Sequence, residues 1–233
     1  RITDFAVNDQ GMIEWDESGA MAQTHAFELE NMPKTMKTTA TDADSATHEG
    51  QARDDLAIID TVAYTGLVPG NEYTASGILM DKATGAPALD DEGNEITAST
   101  AFTAEDSCGT VDVTFAFKGA NLAGKSLVAF ETMEHEGVEY MAHADIDDVD
   151  QTVAIVDIAT QARDGITNTG EGTVTENGVL VDTVAYTGLA PGKEYRIFTT
   201  LMDKSSGNAL AGDDGLPKVG TTVFTPETPD GTM

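Results

Sequence analysis

Hydrophobic and polar residues alternate with a period of two in several short stretches of the chain. The clearest is 111–117, Val-Asp-Val-Thr-Phe-Ala-Phe, in which every second side chain is a large apolar one. This alternation is typical of a half-buried strand, and the β-branched and aromatic runs at 127–130 and 152–158 predict further strands. Turn-forming pairs such as Pro69-Gly70 separate the runs, and helical periodicity is scarce. The pattern therefore predicts an all-β fold.

The chain also repeats itself at an offset of 122 positions. The segment Asp60–Leu67 recurs as Asp182–Leu189, and both copies are followed by Pro-Gly and then Glu-Tyr. A gapless match predicts a duplicated domain. Short strands in a unit of this length favour tandem Ig-like β-sandwich repeats, with a complete repeat one at 38–159 and repeat two at 160–233. Repeat two has no counterpart of 112–159, so we expect the chain to be a fragment of a longer protein.

Charge and composition exclude several classes of partner. Asp and Glu number 41 against 12 Lys and Arg, a formal net charge of −29, so neither nucleic acid nor an anionic membrane surface is an expected partner. No apolar run reaches the ~20 residues of a membrane-spanning helix. The acidic run 90–95 does not fit the spacing of a calcium-binding loop, and a hairpin turn explains it. The sequence predicts no metal and no cofactor.

Candidate chemistry is sparse. The chain has one cysteine, Cys108, and therefore no internal disulfide. His143 stands beside the acidic run 145–150, but a lone histidine on a strand is more often a surface or core residue than a catalyst. Three classes of function remain open at this point: a structural module, a module that binds a host protein or glycan through its loops, and a hydrolase built on His143.

Repeat one contains several motifs in a fixed order. They are Thr38-Thr39-Ala40-Thr41-Asp42, Asp60-Thr61-Val62-Ala63-Tyr64, Gly77-Ile78-Leu79-Met80-Asp81-Lys82, Val128-Ala129-Phe130-Glu131, His143-Ala144-Asp145-Ile146 and Asp150-Gln151-Thr152-Val153. Together these motifs resemble the VaFE-type Thr–Gln ester-bond domain of Gram-positive surface adhesins. The resemblance covers repeat one and the available part of repeat two. It implies that a threonine hydroxyl near the start of each domain condenses with a glutamine carboxamide near its end, with loss of ammonia.

The resemblance also implies roles for individual residues. The threonine is Thr38, because Thr160 is its partner in repeat two, although Thr39 remains an alternative; the glutamine is Gln151. His143 would take the hydroxyl proton and pass one to the leaving amine. Asp60 and Glu131 would orient the imidazole and polarise the amide. Each domain would react once, which is not enzymatic turnover.

Repeat two keeps only part of this set, namely Thr160 and Asp182. Residues 1–37 match neither repeat. Their segment 27–33 resembles the last strand of a collagen-adhesin B-type domain, in which Asn31 would be the candidate for a Lys–Asn isopeptide bond. The lysine partner would lie upstream of this chain.

These resemblances imply a stalk segment of an extracellular, cell-wall-anchored adhesin. Its partners would be the adjacent domains of the same stalk and an unidentified host ligand. The alternative is an adhesive module that recognises a host protein or glycan. A hydrolase would need a substrate cleft and a free nucleophile, whereas repeat one would consume its nucleophile in its own cross-link.

Overall fold

The fold is that of a computed structural model, which describes residues 33–172, 175 and 178–233 together with the backbone of 6–7 and 13–14. The described residues are almost entirely antiparallel strands, apart from a 3-10 turn at Ala120–Leu122. The predicted all-β, Ig-like β-sandwich architecture is confirmed. No helix of the described part is long and apolar enough to cross a membrane.

The described residues form sixteen strands, which are numbered in chain order. They are β1 (Ala6–Val7), β2 (Ile13–Glu14), β3 (Thr35–Asp42), β4 (Glu49–Gln51), β5 (Leu56–Thr65), β6 (Glu72–Asp81), β7 (Ala86–Pro87), β8 (Thr97–Thr103), β9 (Cys108–Phe117), β10 (Ser126–His135), β11 (Val138–His143), β12 (Thr152–Asp164), β13 (Leu180–Thr187), β14 (Tyr195–Thr200), β15 (Val219–Phe224) and β16 (Gly231–Thr232). The chain divides into two compact units, residues 1–155 and residues 156–233.

Two sheets face each other in the first unit. One has the order β3-β5-β9. In the other, β10 pairs along one edge with β6 and along the opposite edge with β11 and the start of β12, while β6 also carries β7 and β8. The core between the sheets is aliphatic and aromatic. Its fully buried members include Ile58, Phe115, Leu79, Leu127 and Ile155.

Strand β5 shows how the sequence pattern places a polar residue in this core. Its side chains alternate between the core and the outer face, so Ile58, Asp60 and Val62 all point inward. Both Ile58 and Val62 are apolar, as the alternation requires. Asp60 breaks the pattern, because a carboxyl group at a core position must find polar partners to offset its lost hydration.

The second unit repeats the strand register of the first. Thr160 pairs with Val184 and Ala162 with Asp182, as Thr38 pairs with Val62 and Ala40 with Asp60. Its buried hydrophobic residues are Val184, Tyr186 and Leu189.

Candidate cross-link site

Thr38 and Gln151 meet inside the first unit although they are 113 positions apart. On β3, Thr38, Ala40 and Asp42 face the core, whereas Thr39 faces outward. The Ala40 N–H donates to the Asp150 carbonyl at 2.9 Å, which brings the residue after Asp150 against β3. The Gln151 Nε2 donates to the Thr38 Oγ1. Of the two threonines that the sequence left open, the one in contact with Gln151 is therefore Thr38.

Gln151 is held on two sides by β10. The Ala129 N–H donates to the Gln151 carbonyl at 3.1 Å, and the Gln151 Nε2 donates to the Glu131 Oε2 at 2.6 Å. The side chain has no solvent exposure, and its Oε1 has no hydrogen-bond partner among the described residues. The carboxamide therefore lies in a dry site with a threonine oxygen and a carboxyl group against its nitrogen.

Asp60 and Glu131 form a buried carboxyl pair. Asp60 is 0% and Glu131 1% exposed. As two carboxylates, both Asp60 oxygens and the Glu131 Oε1 would lack any donor in the described structure. Burial, followed by contact with Asp60, raises the pKa of Glu131 to about 10. Glu131 is thus a neutral acid at physiological pH, and its proton supplies the missing hydrogen bond to Asp60.

Asp60 is the charged member of this pair. Burial raises its pKa, and the nearby Glu131 carboxyl group and Thr39 N–H oppose that rise. His143 also favours the charged form of Asp60 electrostatically. One proton shared by two carboxyl groups avoids two like charges in a dry core.

His143 lies at the rim of the site. It is directly opposite Glu131 in the β10–β11 pairing, and opposite residues of an antiparallel pair project from the same face. Its Nε2 is 2.9 Å from the Asp148 Oδ2. The imidazole therefore contacts Asp148, because the turn after β11 returns Asp148 to the ring. Glu131 contacts Gln151. The orientation of the imidazole by Asp60 and Glu131, which the resemblance implied, stays a prediction.

Asp148 is the site residue that sequence reasoning missed. It belongs to the acidic run 145–150, but composition alone could not single out one of its aspartates. Asp148 also organises the approach to Gln151, because its Oδ1 accepts from the Asp150 N–H at 2.9 Å and its carbonyl accepts from the Thr152 hydroxyl at 2.6 Å. The available signal was the acidic run itself, which forms a turn that presents one aspartate to His143 and the next residues to the core.

The remaining predicted residues are not brought together. Thr160 is exposed, and Asp182 is half-buried with its Oδ1 lacking a partner in the described structure. Asn31 and the segment 27–32 lie outside the described residues. Within the described part, no three His, Cys, Asp or Glu side chains are placed to hold a metal ion.

The fold and the site together define a β-sandwich domain in which Thr38 and Gln151 meet in the buried interior. The profile of the T-Q ester bond containing domain matches residues 34–155 and 156–233. The chain belongs to this family, which confirms the resemblance seen in repeat one. The family is one of cross-link domains, not of catalytic enzymes.

Sixteen chains of solved structures match this chain, and three of them are described here. Two are crystal forms of a bacterial adhesin from Mobiluncus mulieris described as containing intramolecular disulfide, isopeptide and ester bond cross-links. Their sequences are 13% and 15% identical to this chain, and their TM-scores are 0.41 and 0.40. Each match covers 84% of this chain, and the two matches cover 95% and 100% of the adhesin chains. A DUF4466 family protein from Parabacteroides merdae is 12% identical, with a TM-score of 0.28. The match covers 57% of this chain and 50% of that protein's chain. No curated protein matches the chain.

Proposed function

We propose that this chain is a stalk segment of a Gram-positive surface adhesin and that an autocatalytic ester between Thr38 and Gln151 stabilises it mechanically. The observation that carries the proposal is the buried contact of the Thr38 hydroxyl with the Gln151 carboxamide, beside a neutral acid. Family membership supports the same chemistry.

The reaction needs no external reagent. The Thr38 Oγ1 attacks the Gln151 Cδ, a C–O bond forms, the C–N bond breaks, and ammonia leaves with the proton that the hydroxyl gave up. His143 accepts that proton, with Asp148 holding the imidazole, and returns one to the departing nitrogen. Fixing both reactants on neighbouring strands removes much of the entropic barrier of the attack.

Glu131 activates the amide in this scheme. A half-turn of the carboxamide about Cγ–Cδ exchanges its oxygen and nitrogen and brings the Oε1 to the Glu131 carboxyl group. The single proton of neutral Glu131 then turns from Asp60 to the oxygen on which charge develops, and Asp60 retains the compensating negative charge nearby. A donor placed in advance in a dry site is typically worth orders of magnitude in rate.

The burial of the site also argues against the hydrolase alternative. Asp60, Glu131 and Gln151 are at most 1% exposed, so an outside substrate cannot reach the acid. The carboxamide in contact with the Thr38 hydroxyl is that of Gln151, which belongs to the same domain. Each domain therefore reacts once, with itself.

Intact mass of the denatured chain tests the chemistry. We expect a deficit of about 17 Da relative to the calculated mass, from the loss of one ammonia. The Gln151→Ala variant should show its full calculated mass. Gln161→Ala changes an exposed glutamine outside the site and should keep the deficit. Full calculated mass in the parent chain would refute the ester.

The stalk role follows from where the two residues stand. Thr38 is on the first core-facing strand and Gln151 immediately precedes β12, so an ester would join the beginning and the end of the first unit. Pulling force would then pass through a covalent bond and bypass the sandwich. Single-molecule stretching should leave the first unit folded in the parent chain and unfold it in Gln151→Ala; unfolding in both would refute the mechanical role.

We propose the cell-wall location and the adjacent stalk domains as partners on the same grounds. Their test is separate from that of the ester: antibody labelling of intact cells of the source bacterium, before and after enzymatic wall removal. Release of the protein with the wall is the expected result, and retention in the cytoplasm would contradict it.

A further inference from the structure

Gly77 leaves a space in the core directly beside the reactive site. It lies on β6 opposite Glu131 of β10, and both residues face the interior of the sandwich. A Cβ at position 77 would stand 2.6 Å from the Phe115 Cζ and 3.3 Å from the Glu131 Oε1. The ring and the carboxyl group therefore share the space that a side chain at this position would fill.

Phe115 reaches this space from the other sheet of the sandwich. It belongs to β9, its side chain points inward, and it has no solvent exposure. In the β5–β9 pairing it lies opposite Ile58, two residues before Asp60 on the same face of β5. The tip of the ring thus lies beside the Glu131 carboxyl group, and its base lies beside the strand that carries Asp60.

Two titratable groups of the described structure face Glu131. Asp60 of β5 contacts it, and His143 of β11 lies opposite it in the strand pairing. The reactive threonine of β3 and the glutamine before β12 are uncharged. From β6 and β9 come Gly77 and Phe115, which neither give nor accept a proton. Phe115 can therefore influence Glu131 only by occupying space that water would otherwise fill.

Exclusion of water matters for the role of Glu131. Burial is the largest cause that raises the pKa of Glu131 to about 10, ahead of contact with Asp60. A carboxyl group in a dry apolar pocket stays neutral, and the neutral form is the one that donates a hydrogen bond in the proposed reaction. A smaller side chain at position 115 would leave room for water, which stabilises the carboxylate.

We infer that Phe115 is a positioning residue of the proposed ester-forming reaction, with a ring that keeps water from the Glu131 carboxyl group. Gly77 serves the same end, because a Cβ there would displace the ring. Both residues act through Glu131 and take no part in bond making. This inference rests on the proposed Thr38–Gln151 chemistry.

The pH dependence of ammonia loss tests the role of the ring. Full-length chain that is recovered unfolded, before the ester has formed, is refolded between pH 6 and pH 11, and its mass is followed over time. The rate in the parent should fall only near pH 10, where Glu131 loses its proton. In Phe115→Leu the midpoint of this fall should move down by at least about one pH unit, because water then stabilises the carboxylate.

Phe117→Leu is the matched control. It makes the same substitution two residues further along β9, where the side chain also points inward, but the Phe117 ring lies beside Gly119 and not beside Glu131. It should lower stability and leave the midpoint where it is in the parent. An unchanged midpoint in Phe115→Leu, or an equal shift in both variants, would overturn the inference.

Gly77→Ala tests the shared space and covers the case in which Phe115→Leu does not fold. Its methyl group would push the ring away from Glu131, so this variant should also lower the midpoint. In the double variant the methyl group fills part of the space that leucine leaves. The combined slowing at pH 9 should therefore be smaller than the product of the two single effects. Independent effects, or a midpoint in Gly77→Ala equal to the parent's, would overturn the inference.

Failure of the inference differs from failure of the proposed function. A parent chain that loses no ammonia at any pH would refute the Thr38–Gln151 ester itself. A parent chain that reacts, while Phe115→Leu or Gly77→Ala keeps the parent's midpoint, would remove the role of the ring and leave the ester standing.

Discussion

Repeats one and two have the same strand pairing but differ in what they bury. The Thr38–Val62 pair recurs as Thr160–Val184. The hydrogen bond from the Val68 N–H to the Tyr73 hydroxyl recurs, at the same 3.0 Å, between Ala190 and Tyr195. These contacts are formed by elements that both repeats possess.

The two repeats differ in the environment of the threonines at the matched position. Thr38 is buried against Gln151, whereas Thr160 is exposed. Register is thus specified by the first strands alone, because alternation and turns act locally. The dry environment of the site depends on the later strands β10 to β12. A threonine at the matching strand position therefore cannot form the proposed ester unless a glutamine side chain is buried against it.

Replacing the proposed nucleophile Thr38 should have the largest effect, because neither repeat would then contain a cross-link. We expect Thr38→Ala to show full calculated mass and to lose up to about 4–5 kcal/mol of unfolding free energy, as estimated by analogy with a disulfide closing a loop of about 100 residues. Urea unfolding measures the loss. Thr160→Ala, at the matched position, should keep the deficit relative to its calculated mass and the stability of the parent; an equal loss of stability in both variants would contradict the assignment.

Removing the proton carrier should slow the reaction without preventing folding. His143→Ala is expected to reduce the rate of ammonia loss about 10²–10⁴-fold, since general acid–base catalysis is typically worth that much. Asp148→Asn should cause a smaller reduction, because the histidine remains. The rate is read from the mass of freshly purified protein over time. His135→Ala serves as the control, and a rate equal to the parent's in His143→Ala would exclude its role.

The buried acid should make repeat one sensitive to pH. The folded pKa of Glu131, about 10, exceeds the ordinary 4.5, so the folded state keeps a proton that the unfolded state releases between these values. This contribution is therefore fully present below about pH 4.5 and is lost as the pH rises towards 10, by up to about 1.4 kcal/mol per pH unit.

The measurement is urea unfolding of Gln151→Ala, which has no cross-link, at pH 6 and pH 9. We expect lower stability at pH 9. Adding Glu131→Gln should flatten the dependence, because an amide does not titrate. A slope that survives this substitution would show that another group causes it.

The smallest expected effect concerns a contact present in the first unit alone. The Lys34 Nζ lies 3.7 Å from the centroid of the Tyr140 ring, and Val156 occupies the matched position of the second unit. Lys34→Ala should cost about 0.5–1 kcal/mol of unfolding free energy. Lys37→Ala, on the adjoining strand β3, should cost less; the reverse order would exclude the ring contact as the cause.

Much of the fold could be predicted from alternation and repetition. The alternating stretch 111–117 lies in β9, and residues that are 122 positions apart have the same strand partners in both repeats. The resemblance supplied Thr38 and Gln151 as candidates, but the choice of Thr38 over Thr39 required knowing which side of β3 faces the core. Asp148 could not be chosen, because the shape of a turn decides which of several neighbouring aspartates reaches a histidine.

The position of the Thr38–Gln151 contact also sets how far the chain can lengthen. The 113 positions between the two residues would span about 400 Å if fully extended. Joining Thr38 to Gln151 removes this reserve of contour length from the first unit. A stalk made of such units would keep a nearly constant length under load. A bacterium attached through it would therefore move together with the surface to which it adheres.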